Sequence, residues 1–76
     1  MKTILDIAKV DAKDLSEKSV AVRSGVLTAE EGEKYFLRKR YRNLYRANIL
    51  RTRGRSPSTR ECDIALEEAL EGEDHG

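Results

Sequence analysis

Between Arg38 and Arg55 the chain reads RKRYRNLYRANILRTRGR, eighteen residues with eight basic side chains and no acid. Arg38, Lys39, Arg42, Arg46 and Arg53 recur at spacings that return to one side of a helix. Arg51 and Arg55, with Arg60 beyond them, add charge toward the end of the run. Across residues 34–60 Arg outnumbers Lys eight to two. A guanidinium is a planar fork that can meet a phosphate at two points, whereas an ammonium acts as a point charge. The chemistry that suits this set is phosphate binding. Arg38, Lys39, Arg42, Arg46, Arg51, Arg53 and Arg55 are therefore the candidate nucleic-acid contacts. Tyr35, Tyr41 and Tyr45 add rings that could stack on unpaired bases if exposed.

The same arginines have two other uses. They suit an acidic protein target, or they form a solvated helix face partly paired with acids elsewhere in the chain. Exposed pairs of that kind stabilise by only about 0–1 kcal/mol each. Tyr41 and Tyr45 fall on the apolar stripe of the same helix, which favours core packing over base stacking.

Charge is segregated along the chain although the net value is only +1. Residues 1–33 sum to −2, residues 34–60 to +10 and residues 61–76 to −7. Blocks of like charge point to interaction more than to an ordinary mixed surface. The acidic end has four readings. It solubilises an amphipathic helix, shields the basic face, binds the basic face of a second subunit, or mimics nucleic acid toward a protein target.

Other chemistries find few residues. The single His, His75, stands beside the C-terminus, and the single Cys, Cys62, has no base near it in sequence. Cys62 lies on an apolar stripe and is expected to be a buried, inert thiol. The chain has no glycine-rich phosphate loop, no His/Cys spacing for a metal and no His/carboxylate constellation. A non-enzyme without cofactor or metal is the expectation.

The elements that position these residues are helices. Three times a capping residue is followed three positions later by Glu: Asp14 with Glu17, Thr28 with Glu31, and Ser58 with Glu61. In such a box the first side chain accepts from an orphan N–H and the Glu reaches back. Gly25 and Gly54 supply left-handed stops, and Pro57 forbids a helix through the link at residues 55–58. The spacing predicts helices near residues 15–24, 29–53 and 58–71, with Gly72 ending the third before a flexible tail at 72–76. Residues 2–11, with Ile4, Leu5, Ile7, Ala8 and Val10, fit a short helix or a short strand.

On the long central helix Leu37, Tyr41, Leu44, Tyr45 and Asn48 share one sector, while Phe36, Ile49 and Leu50 fall outside it. On the last helix Cys62, Ala65, Leu66, Ala69 and Leu70 form an apolar face opposite Asp63, Glu67, Glu68 and Glu71, with Ile64 among the acids. Leu27, just before the Thr28 cap, is placed to staple the link onto the central helix.

Between Gly54 and Glu61 the run Gly-x-Ser-Pro-Ser-x-Arg-Glu resembles the lead-in to the first helix of some repressor helix-turn-helix domains. The likeness covers about eight residues, and no recognition helix follows Leu70. Ser56-Pro57 beside arginines also resembles a kinase site. Neither likeness carries the functional expectation.

Seventy-six residues make one small domain. A chain of this size buries only about 60% of the surface that its unfolded form exposes. With 38% hydrophobic and 38% charged residues, the expectation is a lean all-α unit, a helical hairpin or three-helix unit around a long basic helix, forming a homodimer. No apolar run is long enough for a membrane span, and one cysteine suits a reducing, cytoplasmic setting. The expected function is regulatory binding of nucleic acid, DNA or RNA, through the Arg-rich face. The alternative is a modulator or inhibitor of a protein target, acting through the acidic or the basic helix.

Overall fold

Every regular element among the described residues, 3–74, of the computed structural model is a helix: α1 (Ile4–Lys18), α2 (Val20–Arg23), α3 (Ala29–Arg53) and α4 (Thr59–Asp74). The chain is all-α around a long central helix, as its spacing predicts. His75 and Gly76, part of the expected tail, lie outside the described residues, as does Lys2 at the other end.

The first helix begins earlier than the capping pattern suggests. Thr3 caps it: its hydroxyl accepts from the Asp6 N–H at 3.1 Å, and the Asp6 carboxylate accepts from the Thr3 N–H at 3.1 Å. Residues 4–11 are thus helical, and Asp14 is no cap. It sits inside α1 and pairs with Lys18 one turn on, at 3.2 Å. The reason is tertiary. Leu5, Ala8, Ala12 and Ser16 form one seam at helical spacing, and all four are buried. Burial of a continuous face outweighs a local signal to start again. Only at Ser19, whose backbone is extended (φ −69°, ψ 131°), does the helix break before the single turn of α2.

The later boundaries follow local chemistry. Thr28 and Glu31 form the full reciprocal box at the start of α3. Gly54 closes α3 at φ 71°, a conformation that costs a side chain but not glycine. Ser58 accepts from the Glu61 N–H at 3.2 Å, while the Glu61 carboxylate turns to Arg55 at 3.3 Å. Gly72 does not end α4, which runs on through Asp74. Glycine in a helix costs about 1 kcal/mol, and the ion pair of Glu73 with Lys9 on α1 holds the next residue of the helical turn.

Helix α1 runs antiparallel to the first half of α3. Its small residues let the two helices pack closely, and Gly32 of α3 leaves no room for a side chain. A Cβ built there would stand 2.5 Å from Ser16 Oγ and 2.5 Å from Val22 Cγ2. Ser16 itself is buried and donates to the Ala29 carbonyl at 3.3 Å. At 1.5 Å per residue α3 is about 37 Å long and α1 about 22 Å, so α1 leaves part of α3 uncovered. Helix α4 folds back antiparallel along that remainder.

Leu5, Ala8, Tyr41 and Leu66 form the core where the three long helices meet, ringed by Ile4, Leu37, Leu44, Tyr45, Ala65, Ala69 and Leu70. The apolar face predicted for α4 is the one that packs. Ile49, which the helical wheel places outside the apolar sector, is buried at 6% exposure. Two neighbours rather than one widen the covered arc of α3.

Candidate nucleic-acid interface

On α3, successive residues turn by 100°, so Lys34, Arg38, Lys39, Arg42, Arg46 and Arg53 fall within an arc of about 140°. Lys34 to Arg53 spans about 28 Å along the axis. Arg51 stands about 160° around the helix from Arg53 and outside that arc. It donates to Asn48 Oδ1 at 3.4 Å instead.

Tertiary structure divides the basic set by what each side chain meets. Arg42 is held by α4, with Nε 2.8 Å from Asp63 Oδ1 and Nη2 2.9 Å from Asp63 Oδ2. The hydrogen bond from Arg42 holds the Asp63 carboxyl below its ordinary range against the opposing effect of burial, and the charges of Arg42 and Arg38 add to it. The same bond raises the guanidinium of Arg42 above its ordinary value. Arg46 donates from Nε to the Pro57 carbonyl and from Nη2 to Thr59 Oγ1, each at 3.4 Å, and so bridges to the link and the start of α4. Arg55 meets Glu61. Arg40, on the other flank of α3, meets Asp11 of α1 at 2.8 Å.

Of the ten basic residues in 34–60, Arg40, Arg42 and Arg55 are therefore ion-paired. Lys34, Arg38, Lys39, Arg46, Arg51, Arg53 and Arg60 have no carboxylate within ion-pair range among the described residues. All of these except Arg46 are exposed.

The cations are densest at one place, where three free ones gather beside the paired Arg42. Lys34, Tyr35, Arg38, Lys39 and Arg42 line an open cleft of about 380 Å³ along the first half of α3. No carboxylate among the described residues lines it. Lys34 is absent from the set that the arginine-rich run suggests, although it lies one turn before Arg38; spacing was the signal that could have included it. Tyr35 is 54% exposed, whereas Tyr41 is buried at 6% and lies flat against Tyr45, with ring centroids 6.0 Å apart at 12°. Burial, with a smaller contribution from Tyr45, pushes the Tyr41 phenol up. Of the three tyrosines, two serve the core and one is open.

Elsewhere, Cys62 is fully buried with Sγ 3.9 Å from the Arg42 carbonyl. No group of three or more His, Cys, Asp or Glu among the described residues is placed to hold a metal ion. No helix among them is long and apolar enough to cross a membrane. Compared with protein-family models, curated proteins and solved structures, the chain matches none of them.

Proposed function

We propose that this chain binds nucleic acid through the Lys34–Arg42 cleft of α3, with Arg46 and Arg53 continuing the positive strip. One observation carries the reading. Four cations and one tyrosine ring line a concave surface to which no carboxylate among the described residues contributes lining, in a chain whose acids nearly equal its bases at fourteen to fifteen. A patch serving only as a solvated face would be expected to interleave both signs, as α1 does. A one-signed concave patch focuses positive potential and draws a polyanion.

The arrangement divides the labour between residues. Arg38 and Lys39 are exposed and in no ion pair among the described residues, so they can turn to phosphates without breaking one, although Lys39 also stands over the Tyr35 ring. Arg42 lines the cleft but must share its guanidinium with Asp63. Arg46 gives part of its reach to Pro57 and Thr59. Affinity then rests on charge and falls with salt. Neutralising four phosphates of a single strand gives a slope of about −3 in log affinity against log salt.

Fluorescence anisotropy of labelled oligonucleotides with the full chain, from about 50 to 200 mM salt, tests this. The expected result is salt-dependent binding that Arg38→Glu with Lys39→Glu abolishes. No binding at the lowest salt by a chain that circular dichroism shows to be helical would overturn it.

The competing reading, capture of a protein target, draws on Glu67, Glu68 and Glu71, which are exposed on α4 with no cation in ion-pair range among the described residues. Charge reversal at Arg38 and Lys39 spares a partner held by those acids. Sedimentation of the same samples reads whether one copy or two forms the binding unit.

A further inference from the structure

Tyr35 has no role in the core. It is 54% exposed, and its hydroxyl makes no hydrogen bond among the described residues. Its ring is nonetheless braced. Phe36 meets it edge-on with centroids 5.1 Å apart at 81°, and Lys39 Nζ stands 5.5 Å from its centroid. A large aromatic surface is thus held in place beside Lys34 and Arg38 yet left open to water. Solvent exposure of so much ring gives up burial that Tyr41 and Tyr45 obtain a few turns along the same helix.

The cations around it are one-sided. Lys34, Arg38 and Arg42 follow one another at steps of about 6 Å along α3, a step comparable to that between phosphates of an extended strand. Beyond Arg42 stands Asp63, and one helical turn further on α4 comes Glu67. A duplex presents two phosphate strands and keeps its base faces stacked inside. Laid along this strip, it brings its second strand toward those acids, where like charges repel. A single strand needs only one line of cations, and its bases have free faces to stack on a ring.

From these observations, and resting on the nucleic-acid reading, we propose that the ligand class is single-stranded nucleic acid. One unpaired base stacks on Tyr35, and the flanking phosphates meet Lys34, Arg38 and Lys39. Tyr35 is a binding residue with no part in the fold. Lys39 holds one side of the ring and supplies charge to the backbone that passes it.

The test is anisotropy at about 50 mM salt with labelled twelve-nucleotide oligo-dT, oligo-U and a duplex of equal length, using the full chain. Wild type, Tyr35→Ala, Tyr35→Leu and Tyr35→Phe are compared, each checked for helicity by circular dichroism. The expected pattern is tighter binding of single strands than of duplex. Tyr35→Ala and Tyr35→Leu lose about tenfold on single strands and leave duplex binding unchanged, while Tyr35→Phe keeps wild-type affinity. The ratio of oligo-U to oligo-dT binding assigns the strand as RNA or DNA. Duplex binding as tight as single-strand binding, or a Tyr35→Ala loss equal on both, overturns this inference and leaves the nucleic-acid reading standing. Binding to none of the three overturns both.

Discussion

Arg42 on α3 grips Asp63 on α4 at two points, Nε to Oδ1 at 2.8 Å and Nη2 to Oδ2 at 2.9 Å. The pair fixes how α4 lies along the central helix, and it withdraws from the free basic strip the arginine nearest its middle. Asp63→Asn removes the charge and half of the fork. The expected drop in Tm near neutral pH is roughly 2–5 °C, since both partners are partly open to solvent.

The pH dependence of that pair has a definite sign. Asp63 is held below its ordinary value of 3.8 in the folded chain. Its contribution is therefore fully present above that value and is lost as pH falls through the lower folded value. Thermal melts of wild type and Asp63→Asn should differ at pH 6 and converge toward pH 2. Curves that stay parallel across the range would show that the pair does not hold α4.

Gly32 on α3 packs against Ser16 on α1 with no space for a Cβ between them. Gly32→Ala gains about 1 kcal/mol of helix propensity. Against this, the new Cβ must displace Ser16 Oγ and Val22 Cγ2, both at 2.5 Å, and overpacking typically costs about 1–3 kcal/mol. Ser16 is buried and bonded to Ala29, and Val22 is stiff at χ1, so the clash prevails and net destabilisation is about 1 kcal/mol. Ser16→Gly made together with Gly32→Ala should recover part of the loss. Urea melts of the two single variants and the double read the coupling.

Cys62 reports on the docking of α4. Its thiol is fully buried against α3, so a disulfide reagent reaches it only when α4 lifts or the chain unfolds. Native labelling should run at least about tenfold slower than in urea. Asp63→Asn should accelerate native labelling. Equal native rates for the two proteins would place the opening elsewhere.

Arg38 and Lys39 separate binding from stability. Both are exposed and in no ion pair among the described residues, so Arg38→Glu and Lys39→Glu should change stability by no more than about 0.5 kcal/mol. Arg42→Glu sets a like charge against Asp63 and lowers Tm. Parallel anisotropy and melting measurements test whether binding follows the first two without loss of fold.

The sequence alone determined those features whose cause lies within about one helical turn. The Thr28–Glu31 box, the left-handed glycines Gly25 and Gly54, the link at Pro57 and the apolar face of α4 are all local hydrogen bonding, sterics or periodicity, and each was readable. The basic run was equally plain. Beyond the shifted helix ends at Thr3 and Gly72, three things were not. Asp14 imitates a cap, yet the small-residue seam from Ala8 to Ser16 carries α1 through it because α3 buries that seam. Ile49 leaves the apolar sector of an isolated helix and enters the core because α4 covers a second flank. Arg42 and Asp63, twenty-one residues apart, meet only because α4 folds back, and no local pattern encodes which of several arginines an acid will find. Tertiary structure therefore decided which cations remain free and that Tyr35, alone of three tyrosines, stays open. Burial is a property of how helices cross, whereas a cap or a stop is a property of the chain beside it.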